Sequence, residues 1–188
     1  MLTRYLLTVI ATALLATNAF GQTKTAQQLI GSCARCHGED GNASGQYPSL
    51  AGQQAAYLAK QLMDYKSGAR KNSQMAPMVG VLTEENVQVL AKYYSEEFLQ
   101  RPHGVNKELA AEGEKLAAEL KCATCHQGNF RGVESIPRLA RQNRVYLVNQ
   151  MKYFRDGKRM NDNGLKTGFM STLSDEQITA LSHYFSGM

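Results

Sequence analysis

The chain has 188 residues, 43% of them hydrophobic and 20% charged, and a formal net charge of +5. A balance this modest, with no nucleic-acid-binding motif, gives no ground for a nucleic-acid partner. No stretch beyond residue 21 is long and apolar enough to cross a bilayer as a helix, which takes about 20 residues. Residues 1–21 themselves read as a secretory signal peptide. Arg4 supplies the positive start, Leu6 to Ala16 an apolar run, and small residues around Ala19 and Gly21 a cleavage site. That run covers only about half of a ~30 Å hydrocarbon core, so cleavage is expected rather than anchoring.

The rest of the chain suits one medium domain or two small ones. Domains of roughly 80 residues bury little surface and usually recruit a metal, disulfides or a cofactor. Charge is uneven along the chain. Residues 22–100 hold seven basic and seven acidic side chains, whereas residues 101–188 hold thirteen and nine, with Arg131, Arg138, Arg141 and Arg144 among the excess. Such a distribution fits steering towards an acidic partner, peripheral association with an anionic membrane surface, or ordinary solvated surface.

The chain repeats itself. Cys33-Ala34-Arg35-Cys36-His37 matches Cys122-Ala123-Thr124-Cys125-His126 at an offset of 89. The same offset carries Pro48 onto Pro137, Gln53 onto Gln142, Tyr57 onto Tyr146, Gln61 onto Gln150, Arg70 onto Arg159 and Asn72 onto Asn161. Beyond these the offset is 91, carrying Leu82 onto Leu173 and Tyr93 onto Tyr184, so two residues are inserted between Asn161 and Leu173. The expected organisation is a leader at 1–21, a first unit at 22–100, a linker at 101–106 and a second unit at 107–188.

Each unit reads as helical. A helix leads into the first cysteine, clearest from Lys107 to Leu120, which is rich in Ala, Glu, Lys and Leu. After a loop with Gly and Asn comes an amphipathic helix, with Tyr57, Gln61 and Tyr65 a turn apart in one copy and Tyr146, Gln150 and Phe154 in the other. A last helix starts at Thr83 or Ser174, where Ser174 and Gln177 fit a capping box. No strand signal of weight is present. The expected fold class is all-α, with two tandem domains, each wrapped around one prosthetic group.

All four cysteines lie in the two C-x-x-C-H pentapeptides. Thiols three positions apart can add to the two vinyl groups of one haem, and the adjacent His can then ligate the iron. Zinc ribbons place their Cys pairs about 15–20 residues apart, far closer than Cys36 and Cys122, and do not require a His after each pair. Structural disulfides and a thioredoxin-like pair are further alternatives. The expected cofactors are therefore two covalently bound haem c groups, on Cys33 and Cys36 and on Cys122 and Cys125, with His37 and His126 as axial ligands. Methionine opposite His raises the reduction potential and suits electron transfer. Met75 and Met78 are candidates for the first iron. For the second, Met170 lies in the loop before the last helix, Met160 is the alternative, and an open or differently ligated iron is a third reading. Pro48 and Pro137, each eleven residues after its His, could accept a hydrogen bond from the other ring nitrogen. His103 and His183 are expected to be surface or helix residues rather than ligands.

These residues resemble the cytochrome c4 family, dihaem proteins of two class I cytochrome c domains. The likeness rests on both pentapeptides, on His37-Gly38-Glu39-Asp40-Gly41-Asn42, on Tyr47-Pro48-Ser49-Leu50-Ala51-Gly52-Gln53 and on Tyr57-Leu58-Ala59-Lys60-Gln61-Leu62. It implies that the first axial methionine stands seven residues before the helix-start leucine, which selects Met75. In the second half the same rule falls on Lys166, a departure from the family pattern. The resemblance further implies two domains facing each other, haem propionates near the interface, and electron delivery in the periplasm between a respiratory donor and a terminal oxidase or reductase. The expected partners are redox proteins of the respiratory chain, with no small-molecule substrate. Two rivals are the cytochrome subunit of a flavoprotein dehydrogenase, such as one oxidising sulfide, and a dihaem peroxidase.

Overall fold

The computed structural model describes residues 24–188, so the expected leader at 1–21 lies outside the described residues. Each half is a set of helices in the same order. The first has α1 (Ala26–His37), α2 (Ala55–Ser67), α3 (Met75–Gly80) and α4 (Glu84–Glu96). The second has α5 (Lys107–Glu119), α6 (Ala123–His126), α7 (Arg144–Arg155), α8 (Leu165–Met170) and α9 (Asp175–Gly187). Among the described residues the only β-type pairing is an isolated bridge between Val133 and Ile136. Among the described residues the chain folds as two all-α domains.

Local sequence sets the helix ends. Thr83 and Ser174 cap α4 and α9, accepting the N–H of Asn86 (3.2 Å) and Gln177 (3.3 Å), while those side chains accept the N–H of the cap residue in return. Helix α2 stops at Gly68, which takes the left-handed conformation with φ 81°. The two halves differ at the cysteines. Helix α1 runs unbroken to His37, whereas α5 ends ahead of Lys121, a left-handed residue with φ 53°, and the second cysteine pair opens a separate short helix.

The last helix of each half carries the core. Val87, Leu90, Ala91 and Tyr94 of α4 pack with Leu29 of α1 and Leu58 and Ala59 of α2. Ile178, Leu181 and Phe185 of α9 pack with Ala117, Phe130, Leu147 and Met151. Truncating such a side chain to Ala costs about 2–5 kcal/mol. Helices α5 and α9 touch backbone to backbone at Gly113, where an added Cβ would lie 2.2 Å from the Ala180 carbonyl oxygen.

Reciprocal polar contacts join the halves. Gln53 Oε1 accepts the Arg138 N–H (2.7 Å) and its Nε2 donates to the Arg138 carbonyl (3.1 Å). Gln142 does the same to Ser49, at 2.8 and 2.9 Å. In a second layer Arg70 donates to Gln61 (2.8 Å) in its own half and to Gln150 (2.7 Å) and Tyr146 (3.1 Å) across the interface. Arg159 mirrors it, reaching Gln150 (2.6 Å), Gln61 (2.8 Å) and Tyr57 (3.1 Å). Every partner here is related to its opposite number by the 89-residue offset, so the interface is pseudo-twofold. Arg138 breaks the symmetry. Its guanidinium enters the interface and donates to the carbonyls of Ala51 (3.0 Å) and Gly52 (3.1 Å). Of Arg131, Arg138, Arg141 and Arg144, Arg138 is the buried one and lies in the interface, not on the surface. Burial, with Arg141 nearby, lowers its pKa to about 10.

Candidate functional site

The first C-x-x-C-H segment ends α1 and the second forms α6 with Cys122 as its cap, and in each the thiols stand three positions apart with the imidazole next. Cys33 and Cys122 are half-buried, Cys36 and Cys125 exposed, and all four are unbridged. Burial pushes the Cys33 and Cys122 thiols above their ordinary pKa. His37 Nδ1 lies 2.9 Å from the Pro48 carbonyl and His126 Nδ1 2.9 Å from that of Pro137. A carbonyl oxygen can only accept, so Nδ1 carries the proton and the Nε2 lone pair is left for a metal. Burial lowers both imidazole pKa values while the proline carbonyls act in the opposite sense; at His126 the positive charge of Lys166 adds to the lowering. Both rings are thus favoured in the neutral, ligating form.

The imidazoles and thiols of both halves face one continuous cavity of about 870 Å³. Its walls are mainly apolar, with Leu58, Leu62 and Leu90 on one side and Leu147, Phe154 and Leu181 on the other. The Tyr94 hydroxyl, buried at this wall, has no hydrogen-bond partner among the described residues. Paired thiols, a neutral imidazole beside each pair and a large apolar cleft together fit a covalently attached haem in each half.

The other expected site residues are placed unevenly. Met75 and Met78 both line the cavity. Asn72 Oδ1 accepts the backbone N–H of Gln74 (3.0 Å) and Met75 (2.9 Å), which fixes the start of α3. In the second half Met170 reaches the cavity wall and packs on the core cluster of that domain. Met160 is 57% exposed and stands apart from the cavity. Lys166 lines the cavity, its Nζ 5.1 Å from the centre of the Phe154 ring. His183 is buried in α9 and accepts the Asn106 N–H at 3.0 Å, while His103 is exposed.

The interface residues that border the same cavity were visible in the sequence only as repeat matches. Tyr57, Gln61 and Arg70, with Tyr146, Gln150 and Arg159, form its polar rim. The available signal was the retention of hydrogen-bonding side chains in both copies, on one face of the helix and just beyond its end.

A cytochrome c family profile matches the chain twice, at residues 23–95 and 110–188. Cytochrome c4 of Thiocapsa roseopersicina is 38% identical over 170 residues, covering 84% of this chain and 88% of that protein. The crystal structure of reduced cytochrome c4 from Pseudomonas stutzeri superposes with a TM-score of 0.81 at 33% identity, over 87% of this chain and 96% of that one. A thiosulfate dehydrogenase electron acceptor of Stutzerimonas stutzeri (strain A1501) is 35% identical over 172 residues, covering 84% of this chain and 79% of its own.

Proposed function

The chain belongs to the cytochrome c4 family of dihaem electron carriers, and from that premise we propose that it works in the periplasm, taking electrons from a respiratory donor and passing them to a terminal oxidase or reductase. It carries two covalently bound haem c groups and exchanges electrons with redox protein partners. Each bound haem supplies reversible one-electron iron chemistry.

The chain's own side chains supply attachment, orientation and exclusion of water. Cys33 and Cys36 hold the first group and Cys122 and Cys125 the second, within domains at 22–100 and 107–188 joined by the segment 101–106. His37 and Met75 would hold the first iron, and His126 would be one ligand of the second. The proline carbonyls keep each imidazole oriented and increase its basicity, and the leucine-rich walls keep water from the metal. The observation that carries this reading is the pairing of two C-x-x-C-H helices, each with its imidazole held at 2.9 Å by a proline carbonyl, around one shared cavity. A leader at 1–21 would direct export, and no helix among the described residues is long and apolar enough to cross a membrane.

A second reading is that the donor is a thiosulfate dehydrogenase. It is favoured by the likeness to the Stutzerimonas electron acceptor of that enzyme. Stopped-flow mixing separates the two. The holoprotein should be reduced by respiratory membranes supplied with quinol and reoxidised by membranes carrying a terminal oxidase. Fast reduction by thiosulfate and its dehydrogenase, with none by the membranes, would favour the second reading. Reduction by neither would contradict both.

A further inference from the structure

The sixth ligand of the second iron depends on which residue of α8 stands where Met75 stands in α3, and the turn that leads into the last helix of each half gives that register. Downstream, the Leu82 N–H donates to the Val79 carbonyl (3.0 Å) and the Leu173 N–H to the Met170 carbonyl (3.1 Å), each one residue before the cap of the last helix. Met170 is therefore the counterpart of Val79, a core residue 2% exposed, and like it packs into the core of its own domain. Upstream, Asn72 accepts the Met75 N–H (2.9 Å), and Asp162 accepts the Lys166 N–H (2.8 Å) and the Gly164 N–H (3.2 Å). Counted back seven residues from Leu82 and Leu173, the turn places Lys166 where Met75 stands; its Asx contact spans four residues against three for Met75, so the insertion is absorbed ahead of the helix.

Lys166 lines the same cavity as His126, with its Nζ 5.1 Å from the centre of the Phe154 ring and 3.2 Å from Asp162 Oδ2. We propose that Lys166 Nζ is the sixth ligand of the second haem iron, opposite His126, so that the two halves carry unlike axial pairs. The proposal rests on haem attachment at Cys122 and Cys125. Bonding uses the lone pair of the neutral amine, so one proton leaves the ammonium for solvent as the bond forms. Met170 then serves as apolar packing, as Val79 does. An amine lacks the soft thioether sulfur that raises a haem potential, so the second half has the lower potential and electrons run downhill from it to the first.

The test uses holoprotein matured in a host that attaches haem c, with haem content counted first. Wild type should hold two haems per chain, both low-spin, with a methionine–ferric charge-transfer band of one-haem intensity. Met75→Ala should abolish that band and Met170→Leu should leave it intact. Lys166→Met should double it, and Lys166→Ala should change one low-spin paramagnetic resonance signal and open one iron to carbon monoxide. Two haems with a band that Met170→Leu halves, or Lys166→Ala with both low-spin signals unchanged, would overturn the proposal while leaving attachment intact. Only one haem per chain, on the first half, would overturn the attachment reading and this proposal with it.

Discussion

Replacing Gln53 with Leu keeps the side chain's bulk and removes three hydrogen bonds, two of them buried. Two cross the interface to the Arg138 backbone, at 2.7 and 3.1 Å, and the third takes the Gln54 N–H at 3.0 Å. Each is worth about 1 kcal/mol net, and leaving a buried backbone group unsatisfied costs about 1–3 kcal/mol. Some relaxation between the domains relieves part of that, so a loss of about 3 kcal/mol is expected. For a chain of this size 1 kcal/mol moves the midpoint by about 2–4 °C, which gives a fall of roughly 6–12 °C in Tm. Scanning calorimetry of the holoprotein checks it. Because Gln142 makes the matching contacts to Ser49 at 2.8 and 2.9 Å, Gln142→Leu should give nearly the same fall. The two substitutions share one interface, so together they should not add. A drop below ~1 kcal/mol in both would refute the view that these contacts hold the halves together.

Gly113→Ala should destabilise the second domain by about 1–3 kcal/mol, since its Cβ would meet backbone at 2.2 Å; Gly128→Ala, with nothing within 4 Å, is the control in the same denaturation experiment. Thr83→Ala and Ser174→Ala should each lose about 1 kcal/mol by removing a cap, measured as a shift in denaturant midpoint. Lys152 (2.6 Å) and Arg155 (2.7 Å) hold the Asp175 carboxyl below its ordinary pKa of 3.8. A depressed carboxylate contributes stability that is present above its unfolded-state pKa and lost as pH falls through the folded-state value. The destabilisation caused by Asp175→Asn should therefore be seen at neutral pH and shrink below pH 3.8, which denaturation at a series of pH values reads directly.

Much of this architecture is legible in the residues. Two offsets, 89 and 91, mark the duplication, and helical spacing with Thr83 and Ser174 locates the last helix of each half. The eleven-residue interval to Pro48 and Pro137 anticipates the imidazole contacts. What a helix face meets is another matter. Periodicity puts Tyr57 and Gln61 on one face and the repeat marks Arg70, but partners that satisfy them lie about 90 residues away in the other copy. Arg138 counts as positive charge in the sequence, yet its charge is held by backbone carbonyls of the first half. The break ahead of Cys122 depends on one left-handed residue, Lys121, inside a segment of high helix propensity. An insertion likewise does not announce which residue absorbs it. Met170 stands nearest the final helix in sequence, whereas counting back from Leu173 falls on Lys166, and the matching turns at Leu82 and Leu173 agree with that count.

Intact mass of the mature chain, taken after denaturation so that only bonded groups remain, tests haem attachment at both cysteine pairs. The wild type should weigh the polypeptide plus two haems. Cys33→Ala with Cys36→Ala should remove one, and Cys122→Ala with Cys125→Ala the other. A chain from a haem-competent periplasm with the mass of bare polypeptide, or variants that keep both haems bonded, would contradict the account.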